Sequence, residues 1–88
     1  MLEQEVEVIN ELGIHARPSS MIVKAALTFK SSITLIKSGA QADAKSIMSV
    51  MMLAATHGSK VIIRVTGDDE AEAIDAIATL FKNKFNEE

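Results

Sequence analysis

Two residues that could handle an anionic group, His15 and Arg17, stand next to a proline in the stretch Gly13-Ile14-His15-Ala16-Arg17-Pro18. The chain has two histidines and one proline, and one of each lies here. An imidazole can act as a nucleophile toward a phosphoryl group, and a guanidinium offers a fork of N–H donors that matches phosphate oxygens. These residue types at this spacing predict phosphoryl chemistry at His15, assisted by Arg17.

A helix predicted directly after His15 would support this chemistry. Apolar residues recur at helical spacing from Ala16 to about Phe29. The first N–H groups of a helix have no intrahelical partner, and the helix dipole is positive at that end, so an anion is stabilised there. Pro18 is tolerated in the first turn, where its missing N–H costs no hydrogen bond.

A purely structural interpretation stays open on the pattern alone. His15 could cap the helix, Arg17 could be a solvated charge, and Pro18 could be an ordinary first-turn proline. A metal site is not expected, because the other histidine, His57, and His15 have no carboxylate at ligand spacing on a predicted helix. No cofactor is expected either.

Apolar periodicity predicts the elements that must position His15. The order β-α-β-β-α-β-α favours the α/β (α+β) class, with three helices on one face of a four-stranded, largely antiparallel sheet, an open-faced β-sandwich. The first two strands can run parallel with room for another between them, and a ferredoxin-like order is the alternative. The predicted elements are strands at 2–9, 32–37, 41–44 and 61–66, and helices at 16–29, 47–53 and from Asp69, the last with an apolar stripe at Ile74, Ile77, Phe81 and Phe85.

One serine and one aspartate are predicted to be helix N-caps. Ser46 precedes the short second helix, and Asp69 precedes the third, with Glu72 completing a partial capping box. Gly58 is expected to end the second helical region.

The short helix after Ser46 has one polar residue inside it. A helix on the face of a sheet keeps one side exposed, so some of Ile47, Met48, Met51 and Met52 are expected at the surface. Flexible methionines suit a surface that meets several partners. Deeper burial of the whole helix is the alternative.

Composition limits the remaining possibilities. Eighty-eight residues with 48% hydrophobic content make one domain, 1–88, and the lack of cysteine excludes a disulfide framework. No apolar stretch approaches the roughly 20 residues that span a bilayer, so we expect a cytoplasmic protein without membrane contact. A net charge of −3 without Trp or Tyr disfavours nucleic acid as a partner.

The positive charges are unevenly distributed. Between Leu12 and Gly67 there are seven Lys or Arg residues and a single acid, Asp43. If this segment formed one face, it would suit an acidic partner or a phosphorylated ligand; scattered solvated cations are the alternative.

The stretch from Gly13 to Pro18 resembles the active-site motif of the HPr family, the histidine-containing phosphocarriers of the phosphoenolpyruvate-dependent sugar phosphotransferase system. Lys45-Ser46-Ile47-Met48 resembles the family's second motif, and the similarity covers essentially the whole chain. The resemblance implies a carrier rather than an enzyme. His15 would accept a phosphoryl group from Enzyme I and pass it to EIIA components of sugar permeases, with Arg17 assisting and Gly13, Ala16 and Pro18 supporting the site.

The resemblance also implies regulation and docking. Ser46 would be phosphorylated by HPr kinase/phosphorylase, while Ile47, Met48 and Met51 would dock Enzyme I, EIIA and regulatory partners, among them a transcriptional regulator. Lys24 could help to receive an acidic partner, and the protein is expected to be a monomer.

Two alternatives to a sugar phosphocarrier stay open. One is a mainly regulatory relative that signals through Ser46, and the other is an unrelated small α/β binding module. Ser49 departs from the glycine that family members often carry, which affects the expected affinity for the kinase or a regulator.

Overall fold

The computed structural model describes residues 1–87. The predicted order of strands and helices is confirmed, with one short 3-10 turn added after the last helix. The elements are β1 (Leu2–Glu7), α1 (Ala16–Ala26), β2 (Ser32–Lys37), β3 (Ala40–Asp43), α2 (Ile47–Met52), β4 (Lys60–Thr66), α3 (Glu70–Lys82) and the 3-10 turn Lys84–Asn86.

The four strands form one sheet in the order β1-β4-β2-β3, and every neighbouring pair is antiparallel. β1 and β2 are therefore parallel to each other with β4 between them, as the sequence predicted. The open-faced β-sandwich, and not the ferredoxin-like alternative, is the fold.

Side chains alternate between the two faces of β4. Val61, Ile63 and Val65 are buried under the helices, whereas Lys60 and Arg64 lie on the opposite face. The two cations sit opposite acids of β1 in the sheet register: Lys60 Nζ is 3.2 Å from an oxygen of Glu7, and Arg64 Nε is 2.6 Å from an oxygen of Glu3. The single positive face considered for the central segment is therefore not formed, because these cations turn away from the helices.

The helices cover the other face of the sheet, and their apolar stripes join the strands in one core. Phe85 was predicted to lie in the stripe of α3, and this is wrong, because α3 ends at Lys82 and Phe85 lies in the following 3-10 turn. Phe85 is nonetheless buried, with its ring edge-on to Phe81 at a centroid distance of 5.0 Å.

Two helices end earlier than predicted. α1 ends at Ala26, because Thr28 and Phe29 donate their N–H groups to carbonyls only three residues back, which tightens the last turn. α2 ends at Met52, before Ala54 adopts a left-handed backbone with φ +52°. Gly58 does not end this helix; it lies in the turn before β4, where its N–H donates to the carbonyl of Val8.

The capping box predicted for α3 is wrong. Asp69 occupies the N-cap position but does not cap; its carboxylate accepts hydrogen bonds from Lys30 N at 2.9 Å, from Ser31 N at 3.0 Å and from the Ser31 hydroxyl. Glu70, rather than Glu72, bonds the turn before the helix, accepting from Gly67 N at 3.1 Å. Asp69 instead closes the loop between α1 and β2 against the start of α3.

The longest helix is α3, with 13 residues. Within residues 1–87 no helix has the length and apolarity needed to cross a membrane.

Candidate functional site

The loop before α1 is held against the segment that follows α2. Gly13 has φ +71°, and a side chain there would place its Cβ 2.7 Å from the carbonyl oxygen of Ala55. The next residue, Ile14, donates its N–H to that same carbonyl at 2.8 Å and is buried. Glycine is therefore required at position 13, and the close approach sets the point from which His15 enters the helix.

Asn10 ties the two ends of this loop together. Its side chain is buried, and Nδ2 donates to the carbonyl of Gly13 at 2.7 Å, while Gly13 N donates back to the Asn10 carbonyl at 3.2 Å. The same Nδ2 also donates to Oε1 of Glu87 at 2.9 Å. Asn10 thus connects the loop before α1 with the C-terminal segment.

His15 occupies the N-cap position of α1 with an extended backbone, and its carbonyl accepts the first intrahelical bond from Ser19 N at 3.0 Å. Within residues 1–87 its side chain accepts no bond from the first turn, so the interpretation of His15 as a helix cap is wrong. The imidazole is 38% exposed, and its Nε2 lies 2.7 Å from Oε2 of Glu87. An imidazole at the surface, held by one of its two nitrogens, can react through the other.

The first turn of α1 presents further anion-binding groups. Ala16 and Arg17 are exposed, and their N–H groups precede the first intrahelical donor, Ser19. Pro18 is buried and closes this turn without an N–H of its own. Arg17 borders a cavity of about 420 Å³ together with Leu12 and residues of the C-terminal segment. A guanidinium, two backbone donors and the positive end of a helix therefore lie within one turn of His15.

The carboxylate of Glu87 is held in its charged form. The hydrogen bond from Asn10, the hydrogen bond from His15, and the positive charges of His15 and Arg17 lower the pKa of Glu87 below its ordinary value of 4.5. Its side chain is only 11% exposed. Near neutral pH the site thus contains one fixed negative charge on the Nε2 side of the imidazole.

Ser46 caps α2, as the sequence predicted. Its hydroxyl accepts from Ser49 N at 3.3 Å, and its carbonyl accepts from Val50 N at 3.1 Å. The neighbouring Lys45 extends back to α1, where Nζ donates to the carbonyl of Phe29 at 2.9 Å. These three hydrogen bonds order the start of α2.

The expected exposure of the α2 side chains is confirmed. Val50 alone in this helix is buried, while Ile47 is 41%, Met48 68%, Met51 42% and Met52 79% exposed. We call these four exposed side chains the α2 patch. α2 packs against α1, and the segment after α2 holds the loop of His15 through Ala55, so the patch and the imidazole belong to one side of the molecule.

Lys24 lies in the last turn of α1 and is exposed. In the part of the chain that the structure describes, no three side chains of the kinds that bind metals lie close enough together to hold an ion.

Sequence reasoning missed Asn10 and Glu87. Asn10 carried a weak signal, since an asparagine directly after a strand and before a glycine loop is a common residue for hydrogen bonding to nearby backbone. Glu87 carried none, because its contact with His15 joins positions 72 apart.

Comparison with known proteins adds an independent finding. Residues 2–83 match the family model described as the PTS HPr component phosphorylation site. The phosphocarrier protein HPr of Xylella fastidiosa is 46% identical over 88 residues, an alignment that covers all of this chain and 99% of the relative.

Solved structures give the same result. The crystal structure of HPr-C-His from Thermoanaerobacter tengcongensis superimposes with a TM-score of 0.96 at 42% identity, covering all of this chain and 99% of that one. The crystal structure of an HPr dimer from the same organism superimposes with a TM-score of 0.79 at 41% identity, covering 99% of this chain and all of that one.

Proposed function

Because this chain belongs to the HPr family of phosphocarrier proteins, we propose that it takes a phosphoryl group onto His15 from phosphorylated Enzyme I and passes it to EIIA components of sugar permeases. The observation that carries this proposal is the exposed imidazole of His15 at the N-terminus of α1, one turn from Arg17 and from two backbone N–H groups without helical partners. The chain is a carrier: it holds the group covalently as phosphohistidine and is restored when the group leaves.

The roles of the neighbouring residues follow from their positions. The guanidinium of Arg17 and the N–H groups of Ala16 and Arg17 would bind the phosphoryl oxygens, where charge is concentrated during transfer. Gly13 and Pro18 would hold the loop and the first turn in place. Removing one of these donors would therefore slow transfer in both directions.

The α2 patch would bring donor and acceptor proteins to His15. Ile47, Met48 and Met51 are flexible apolar side chains suited to several partner surfaces. Lys24, seven positions along α1 from Arg17 and thus on roughly the same helix face, would attract an acidic partner surface.

The proposal is tested by a reconstituted relay with Enzyme I, phosphoenolpyruvate and an EIIA protein. EIIA should acquire the phosphoryl group only when this chain is added. Labelling of EIIA at the same rate without the chain, or no labelling with it, would refute the carrier role.

We further propose that Ser46 is a regulatory site for HPr kinase/phosphorylase and alters docking of partners, including a transcriptional regulator. A phosphate on Ser46 would stand at the start of α2, where the helix dipole tolerates negative charge, so it would change the docking surface more than the fold. Incubation with the kinase and ATP should give an acid-stable phosphoserine that is absent from Ser46→Ala. A mainly regulatory role is the second candidate, and it is favoured if Ser46 is phosphorylated while the relay to EIIA fails.

We also propose that the protein is a cytoplasmic monomer. A monomer is supported by the single hydrophobic core, whose buried residues, among them Val8, Ile63 and Phe81, all come from one chain. Light scattering should give the mass of one chain, and a dimer mass would refute the monomer. Cell fractionation tests the location.

A further inference from the structure

The chain after α3 follows an unusual path. Lys84, Phe85 and Asn86 have φ values of +54°, +54° and +61°, so three consecutive residues other than glycine adopt left-handed backbone. Such backbone is disfavoured for L-residues, and it occurs where surrounding contacts enforce it. Here it reverses the chain directly after α3.

Phe85 is the contact that enforces this turn. Its side chain is 1% exposed and packs edge-on against Phe81 of α3. Because Phe85 is anchored in the core, the left-handed turn carries the next residues across the molecule toward the loop before α1. Glu87 is the residue that this path delivers to His15.

Both carboxylate oxygens of Glu87 are engaged there. Oε1 accepts from Nδ2 of Asn10 at 2.9 Å, and Oε2 lies 2.7 Å from Nε2 of His15. Asn10 itself is buried and also bonded to the Gly13 carbonyl, so the carboxylate is held at a defined place relative to the loop that carries His15. Asn10, Gly13, His15 and Glu87 thus form one hydrogen-bonded network, and the contact of Glu87 with His15 is not an isolated pair of surface charges.

We propose that Glu87 is a positioning residue for His15, whose carboxylate keeps the imidazole proton on Nε2 and leaves Nδ1 as the nitrogen that attacks phosphorus. The inference rests on the proposed function for its consequence in transfer. An ionised carboxylate only accepts hydrogen bonds, so Nε2 must be the donor, and a neutral imidazole then has its lone pair on Nδ1. The lowered pKa of Glu87 is consistent with an ionised carboxylate in this contact.

The phosphoryl transfer step requires no proton transfer. The Nδ1 lone pair forms the N–P bond as the bond between phosphorus and the donor breaks, and the donor keeps that electron pair. The Nε2 proton stays in its hydrogen bond to Glu87, whose negative charge stabilises the positive charge that the ring gains. Because the two ring nitrogens point in different directions, the carboxylate does not occupy the place of the phosphoryl group.

The hydrogen bonds of Asn10 make a specific substitution informative. Asn10 Nδ2 donates to both Gly13 and Oε1, so an amide in place of the carboxylate would turn its oxygen toward Asn10 and its NH₂ toward His15. In Glu87→Gln the Nε2 atom would then be an acceptor and Nδ1 would carry the proton. Phosphoryl transfer should therefore be slower in Glu87→Gln than in Glu87→Ala, because the imidazole in Glu87→Ala is free to change tautomer.

The experiment has two readouts on the full chain. The first is the tautomer of His15 from ¹⁵N NMR at about pH 8.5, where free imidazole is neutral. The second is the rate of phosphoryl transfer from Enzyme I, compared for wild type, Glu87→Gln, Glu87→Ala, and the control Glu5→Gln, which removes a charge from an exposed residue of β1.

We expect Nε2–H in wild type and in the control, and Nδ1–H in Glu87→Gln. Transfer by Glu87→Gln should fall by about tenfold or more, since an imidazole held in the wrong tautomer is a poor nucleophile, while Glu87→Ala should keep more of the rate. A wild-type Nδ1–H tautomer, an unchanged tautomer in Glu87→Gln, or a greater loss in Glu87→Ala would overturn the proposal.

The two readouts also separate this inference from the carrier role. The NMR spectrum is recorded without phosphoryl transfer, so a wild-type protein that shows Nε2–H but accepts no phosphoryl group would refute the proposed function and not the contact. A wild-type protein that accepts the phosphoryl group but shows the Nδ1–H tautomer would refute the role of Glu87 and not the proposed function.

Discussion

His15 and Glu87 stand 72 positions apart, yet Nε2 of the histidine is 2.7 Å from a carboxylate oxygen of the glutamate. The site is therefore assembled from the loop before α1 and from the segment after α3. The left-handed turn at Lys84–Asn86 is what joins them, and its backbone can be tested separately from the chemistry.

Lys84→Gly should stabilise the protein. Lysine at φ +54° occupies backbone that glycine adopts without steric cost, so the free energy of unfolding should rise by about 0.5–1 kcal/mol. Urea denaturation measures this difference. Lys24→Gly, the same substitution in right-handed helix α1, should lower the free energy by about 1 kcal/mol. Destabilisation by both variants to the same extent would contradict the strain assigned to the turn.

Arg17→Ala should slow phosphoryl transfer more than it affects folding. The side chain is exposed in the first turn of α1, so its removal should change the free energy of unfolding by less than about 0.5 kcal/mol. Loss of a charged donor to the transferring group should reduce the rate by about a hundredfold. The initial rate with Enzyme I is compared with that of Arg64→Ala on the opposite sheet face, and equal rates for the two variants would remove Arg17 from the mechanism.

The double change Met48→Gln and Met51→Gln should weaken binding of Enzyme I and EIIA without unfolding the chain. Both side chains are exposed and neither belongs to the core, so little core packing is lost, while apolar contact with a partner is lost from the α2 patch. Titration calorimetry should show about a tenfold rise in Kd or more. Ile62→Gln, an apolar-to-polar change on the other side of the sheet, is the matched control; equal affinity for both variants would place docking elsewhere.

The hydrogen bonds from Lys30 and Ser31 to the Asp69 carboxylate predict that the stability of the protein depends on pH. The hydrogen bond from the Ser31 hydroxyl, followed by the bond from Lys30 N, lowers the pKa of Asp69 below its ordinary value of 3.8. The Asp69 carboxylate thus binds a proton more readily in the unfolded chain than in the folded one. The stabilisation of the fold by this carboxylate is therefore fully present above about pH 3.8 and is lost as the pH falls through the pKa of Asp69 in the folded protein.

The measurement is urea denaturation of wild type and Asp69→Asn between about pH 7 and pH 2. The difference in unfolding free energy should be largest near neutrality and should shrink below pH 3.8. Asp68→Asn, the exposed neighbour, should differ little from wild type throughout. A difference for Asp69→Asn that stayed constant down to pH 2 would exclude the ionised carboxylate as its origin.

Local patterns in the sequence predicted much of the fold. The residue pattern at 61–66 identified strand β4, and the serine before α2 identified its cap, because each depends on neighbours within a few positions. The right-handed crossover predicted that β1 and β2 can run parallel with a strand between them, and the structure decides for this order over the ferredoxin-like alternative.

The errors arose where distant contacts override local preference. Asp69 has the residue type and position of a cap, but its carboxylate bonds to Ser31, 38 positions earlier. Phe85 continues the spacing of the α3 stripe, and periodicity cannot distinguish a helix from a left-handed turn that buries the same side chain. For Glu87 no local pattern exists, so the negative charge beside His15 was visible only in three dimensions.

A single labelling experiment decides whether His15 is the phosphoryl acceptor. The protein is mixed with Enzyme I and phosphoenolpyruvate, and the adduct is tested for the acid lability and alkali stability of phosphohistidine. Wild type and His57→Ala, which lacks the only other histidine, should carry the adduct, and His15→Ala should carry none. Equal labelling of wild type and His15→Ala would show that His15 is not the acceptor.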